Sequence, residues 1–143
     1  MHPLSGLVGV VVALALAPTC PKHFPEMAAQ LTAELPEYLS RQYARLRSPV
    51  EVVSVGMPEL EPLPLADRQF IPDDPKQLFV AIAERPTGGV KVVQRFYWLF
   101  LTRTSRGWRL VMTFMRVGTA PPVDVSDGAI AQSVQRWLRT YCP

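Results

Sequence analysis

Two cysteines stand near the ends of the chain, Cys20 in "LALAPTCP" and Cys142 in "RTYCP", each followed by proline. Three chemistries are open to Cys20: a lipid thioether, half of a disulfide, or an ordinary thiol. A lipoprotein signal calls for leucine three residues before the cysteine and a small residue directly before it. Here those places hold Ala17 and Thr19, with Pro18 between them. An even pair in an exported protein reads as a disulfide, and this one would close a loop of 142 − 20 = 122 residues. In a cytosolic chain the same pair reads as two unrelated thiols. The chain has no CxxC, so a bond would be structural rather than redox-active.

Metal and acid–base chemistry find little to work with. The histidines are His2 and His23 alone, and with the cysteines paired no His/Cys cluster of zinc type can form. The acids Glu59, Glu61, Asp67, Asp73 and Asp74 fall together in one stretch but lack the spacing of a calcium loop. His23 is the sole candidate base of a nucleophilic triad beyond the leader, and there is no G-x-S-x-G, P-loop or Rossmann glycine pattern. Glu59 and Glu61 as paired carboxylates stand close to background. Neither a metal nor a cofactor is expected, and the chain reads as leaning away from an enzyme.

Two features rise above that level. Residues 85–116 carry Arg85, Lys91, Arg95, Arg103, Arg106, Arg109 and Arg116 with no acid among them. Arg95, Arg103, Arg106, Arg109 and Arg116 are the candidate surface for an anionic partner: an acidic protein, a glycan or a lipid headgroup. The competing reading is internal, with the acidic 59–74 loop folding back over the sheet. Nucleic acid ranks lower, since an exported protein rarely meets it, and the net charge of +3 does not argue for it. The second feature is aromatic. Phe96, Tyr97, Trp98 and Phe100 with Trp108 and Phe114 read first as core, and Tyr97, Trp98 and Trp108 are the candidate lining of a pocket if the sheet is concave.

The elements that must position these residues follow from periodicity. Residues 4–17, "LSGLVGVVVALALA", are uncharged and too short for a spanning helix, which needs roughly 20 residues. With small residues at Ala13, Ala15 and Ala17 they read as a signal peptide or short membrane leader over 1–17, cut best after Ala15. No Lys or Arg precedes the apolar run, so the true start lies upstream or the segment stays as an anchor. Residues 24–46 repeat apolar side chains in steps of three and four from Phe24 to Leu46, a helix with a kink or break expected at Pro36. "PVEVVSV" over 49–55 reads as a strand, and "GMPELEPLPLADRQFIPDDP" as a long loop.

"LFVAIAER", "KVVQRFYWLFLTRT" and "WRLVMTFMRV" form a meander turned by "PTGG" and "SRG", with Gly107 in the left-handed position. That turn sets Thr104 opposite Trp108 and Arg103 opposite Arg109. It puts Trp98, Phe100, Phe114 and Met112 on the core face, and in the first hairpin Glu84 faces Lys91. Ser126 or Asp127 caps a last helix whose buried face holds Ile130, Val134, Trp137, Leu138 and Tyr141. The expected fold over residues 18–143 is a single α+β domain. It has an antiparallel three- to four-stranded meander sheet, an N-terminal helix and a C-terminal helix.

"CPKHFPEMAAQLTAELPEYLSRQYARLR", "PELEPLPL", "YWLFLTRTSRGWRLVMTF" and "GAIAQSVQRWLR" together resemble a family of small exported cyanobacterial proteins of unknown function. The resemblance implies export to the periplasm or thylakoid lumen and a cysteine near each end. It supplies no activity. Members set the last cysteine closer to the "WLR" segment than Cys142 stands here. The chain therefore reads as an exported domain of the cell envelope, the lumen or the extracellular space, a non-enzymatic binding or accessory module. The second reading is a small-ligand-binding or hydrolytic domain with a concave sheet, cystatin-like or NTF2-like in shape alone.

Overall fold

A computed structural model describes residues 19–61 and 75–143. The expected leader at 1–17 and most of the acidic 59–74 loop lie outside the described residues. Helix α1 (Phe24–Arg45) is followed by β1 (Val50–Glu59), β2 (Lys76–Pro86), β3 (Val93–Thr104), β4 (Gly107–Arg116), the short β5 (Val123–Asp124) and α2 (Ala129–Tyr141). The strands form one antiparallel meander in the order β1-β2-β3-β4-β5. This is the expected α+β class, with five strands among the described residues rather than three or four. β5 is two residues long, too short for alternation to announce it.

α1 runs unbroken through Pro36, against the expected kink. The proline removes the donor that would have reached the carbonyl of Thr32. Ser54 of β1 supplies a replacement, its hydroxyl donating to that carbonyl at 3.2 Å. The helix survives because the freed acceptor finds a tertiary partner. The apolar stripe Met27, Leu31, Leu35, Leu39 is fully buried as its spacing requires. Each such side chain contributes about 1.5–3 kcal/mol relative to exposure. Leu46 is exposed instead, because it caps the helix end; Gln42 takes the inward place and hydrogen-bonds Gln132 of α2. α2 begins at Ala129 with Gly128 as its cap. Ser126 and Asp127 do not cap it, and the Ser126 hydroxyl accepts from the Thr113 backbone N–H at 3.0 Å.

Both helices pack on one face of the sheet, α1 over β1 and β2, α2 over β4. Opposed residues of an antiparallel pair share a face, and the register assigns them. Tyr97, Leu99 and Leu101 of β3 point at the helices with Thr113 and Trp108 of β4, and all are buried. The opposite row, Trp98 with Phe114 and Phe100 with Met112, pairs as expected but lies on the side away from the helices. The expected core face is thus inverted. β3 is apolar at every position from Phe96 to Leu101, so alternation alone does not choose a side. A bulge beside Phe100/Leu101 then shifts the register, setting Arg103 opposite Trp108 and Thr102 opposite Arg109. The expected Arg103–Arg109 opposition is gone, and with it the like-charge repulsion.

Cys20 and Cys142 are joined by a disulfide with a sequence separation of 122. The bond lies against the β3–β4 turn, where Gly107 has φ +109° as its turn position requires. No helix among the described residues is long and apolar enough to cross a membrane.

Candidate functional site

The side of the sheet away from the helices carries the candidate site. Phe79 and Trp98 stack with ring centroids 5.3 Å apart, and Phe114 lies 5.8 Å from Trp98. Phe100 completes the cluster, 4.7 Å from Trp98 and edge-on to Phe114 at 6.0 Å. Such tilted and offset pairs each contribute about 0.5–1.5 kcal/mol beyond the area they bury. The Trp98 indole N–H donates to Gln77 Oε1 at 3.1 Å, which fixes the ring plane. Beside the cluster lies a hollow of about 720 Å³. Its apolar wall includes Val55, Met57, Phe79, Phe96, Trp98 and Phe114, and its polar groups are Glu59, Glu61, Gln94 and Arg116. Phe96 is 43% exposed and Met57 88% exposed.

Local sequence explains why this face is apolar. β2 alternates Phe79, Ala81 and Ala83 outward against Leu78, Val80 and Ile82 inward, so both its faces are hydrophobic. The small Ala81 leaves room between Val55 and Phe96, its neighbours in register on either side. The hollow is built from that missing bulk.

A second constellation lies on the helix side. Glu84 is buried and accepts from Tyr43 at 2.9 Å, Tyr97 at 3.1 Å and Arg95 Nε at 2.8 Å. Burial and the Glu84 charge raise the Tyr43 phenol to about 12. Tyr97 is pushed up as well, first by burial and then by the charges of Tyr43 and Glu84. Burial pulls Arg95 down, but the bond to Glu84 and its charge outweigh that and hold the guanidinium above its ordinary value. Among the described residues each of these four side chains bonds within the set, and Arg95 also reaches out to Met115 Sδ at 3.2 Å. It is a structural lock between α1 and the β2–β3 hairpin rather than an open reactive group. The expected Glu84–Lys91 pair is replaced by Glu84–Arg95, because Glu84 faces Val93 in the actual register.

The five candidate arginines do not form one surface. Arg95 is engaged with Glu84, and Arg103 donates to the Lys22 carbonyl. Arg109 shares the open side with Thr102, across the sheet from Arg103. Arg106 sits in the turn, and Arg116 lines the hollow. Of the three candidate pocket residues, Trp98 lies squarely on the hollow. Tyr97 reaches its wall from β3 while its hydroxyl is held at Glu84 on the other face. Trp108 is in the helix-side core, 5.6 Å from the Phe24 ring, donating to the Pro21 carbonyl at 2.9 Å. Phe79 is a pocket residue that sequence reasoning missed, and the two-faced apolarity of β2 could have pointed to it; Phe114 of β4 was read as core and lines the hollow instead.

Among the described residues no group of three or more His, Cys, Asp or Glu side chains is gathered to hold a metal. No protein-family model, curated protein or solved structure matches the chain.

Proposed function

We propose that the protein is a non-catalytic binding domain of an exported compartment, and that its ligand is a small, largely apolar, ring-bearing molecule held on the open face of the sheet. One observation carries the reading: the helices seal one side of the sheet, while the other presents four mutually packed aromatic rings beside a hollow of about 720 Å³. Ligand pockets run roughly 300–1,000 Å³ with mostly apolar walls and a few polar groups that set orientation. Here Arg116, Gln94 and the carboxylates of Glu59 and Glu61 are those groups. Trp98 is held by Gln77 and by its ring neighbours, so its own ordering opposes binding little.

Export rests on three supports: the uncharged small-residue run at 4–17, the Cys20–Cys142 bond, and the resemblance to small exported cyanobacterial proteins. Periplasm, thylakoid lumen and extracellular space are the compartments that permit such a bond. The test of the binding reading is titration of the disulfide-bonded protein with a neutral apolar fluorophore such as N-phenyl-1-naphthylamine. Saturable binding is expected, weakened about tenfold by Trp98→Ala or by Phe96→Ala, with the melting temperature recorded for each variant. Absence of saturable binding, or binding that both substitutions leave unchanged, overturns the reading.

A further inference from the structure

The helices carry a second feature, independent of the aromatic face. α1 and α2 lie antiparallel: Gln42 bonds Gln132, the Tyr38 hydroxyl reaches Thr140 Oγ1 at 3.4 Å, and Tyr141 donates to Glu34 at 2.5 Å. Between them is a groove of about 300 Å³ lined by Arg41 and Arg45 of α1, Arg136 and Arg139 of α2, Tyr38 and Thr140. The residues on each helix are spaced by four and by three, so each pair projects from one side of its helix. Four positive charges meet at a site that is mostly arginine.

Among the described residues little balances them. Arg41 is paired with Glu37, but both side chains are more than half exposed, which makes the pair weak and exchangeable. Arg41 also sits 5.4 Å over the Tyr38 ring, and among the described residues the Arg45 side chain bonds only the neutral Gln42 amide oxygen, at 3.4 Å. Arg136, half-buried, and Arg139 have no carboxylate within ion-pair distance among the described residues. Arg45 and Arg139 lie in the last turns of their helices, where a cation suits the helix dipole. Arg41 and Arg136 have no such reason to be there. Like charges at helical spacing repel, so the arrangement is unfavourable until an anion enters it.

We propose that this groove binds a compact phosphate-bearing group, its oxygens taken by the guanidinium forks of Arg41, Arg45, Arg136 and Arg139. All four cations are arginine, whose planar fork matches oxyanion geometry where lysine offers a point charge. At about 300 Å³ the groove is at the small end of ligand sites, with room for a phosphate or diphosphate and its bound water but not for a polymer. The long Tyr38–Thr140 hydrogen bond is one a ligand oxygen can replace. A soluble phosphate ester and an anionic lipid headgroup present the same chemistry, and the two are separable by experiment.

The test is calorimetric titration of the disulfide-bonded protein with inorganic pyrophosphate at low salt and at about 0.15 M salt. A parallel arm uses vesicles of phosphatidylglycerol in phosphatidylcholine. Binding of pyrophosphate is expected, weaker at the higher salt, and reduced about tenfold by Arg136→Gln and by Arg139→Gln. Arg136→Lys keeps the charge and is expected to lose part of the affinity, the mark of fork recognition over diffuse attraction. Arg109→Gln, on the other side of the sheet, is the control and should leave affinity unchanged. Vesicle binding with the same variant pattern assigns the phosphate to a lipid headgroup. No binding in either arm, or equal losses for Arg109→Gln and Arg136→Gln, overturns the proposal.

Discussion

Breaking the Cys20–Cys142 bond is expected to remove about 5 kcal/mol of stability. The bond closes a loop with a sequence separation of 122. In the chain-entropy relation, the denatured state then regains about 2.1 + 1.5R ln 122 cal/mol/K, which is roughly 16 cal/mol/K or about 4.9 kcal/mol at 25 °C. The native side adds to this loss. Pro21 and Lys22 hold Trp108 and Arg103 through their carbonyls, and the bond keeps that short N-terminal segment in place. At about 2–4 °C per kcal/mol for a chain of this size, the melting temperature should fall by about 10–20 °C. The assay is thermal unfolding by circular dichroism of the oxidised protein, the protein with reductant, and the Cys20→Ser, Cys142→Ser double variant. The last two should coincide. A shift of less than about 3 °C in both would refute the loop-closure reasoning.

Gly107→Ala should cost on the order of 1–3 kcal/mol, because φ is +109° and a Cβ would stand 2.9 Å from both Cys142 Cβ and Cys20 Sγ; measured in the double-serine variant, the penalty should shrink, and an unchanged penalty would place its cause elsewhere. Tyr43 titrates near 10 when unfolded and at about 12 when folded, a raised value whose stabilisation is complete below pH 10 and lost as pH rises toward 12. Denaturation midpoints taken across that window should fall steadily, and Tyr43→Phe should flatten the slope. Thr113→Val should be neutral or stabilise by about 1 kcal/mol, since the Thr113 hydroxyl oxygen is buried with no hydrogen-bond partner among the described residues; a loss of more than about 1 kcal/mol by chemical denaturation would show that the hydroxyl is bonded in solution.

Much of the fold was legible in local pattern, and the reason is particular to each element. Met27, Leu31, Leu35 and Leu39 recur at helical spacing on a helix whose other face is polar, so only one orientation satisfies them. The Ser-Arg-Gly run between two apolar stretches places the turn, although Gly107 itself opens β4 opposite Thr104, where Trp108 was expected. What was not legible is what a strand cannot say about itself. Phe96 to Leu101 are apolar on both faces, so the choice of core face belongs to the helices, which need Leu99 and Leu101 rather than Trp98. A single bulge then moved Arg103 and Arg109 to different sides, dispersing a charge cluster that looks continuous along the chain. Pro36 sits inside a helix because Ser54, far away in sequence, answers the carbonyl it frees. The arginine groove was missed for a related reason: Arg41 and Arg45 are separated from Arg136 and Arg139 by most of the chain, and only helix packing joins them.

The most direct measurement is amide and side-chain shift mapping by NMR of the disulfide-bonded protein as a neutral apolar fluorophore is added. Saturable shifts confined to Val55, Phe79, Phe96, Trp98 and Phe114 are expected, with the Trp98 indole N–H moving and those of Trp108 and Trp137, buried on the helix side, staying fixed. Shifts centred on Trp108 and Trp137, or none at all, would contradict the binding reading.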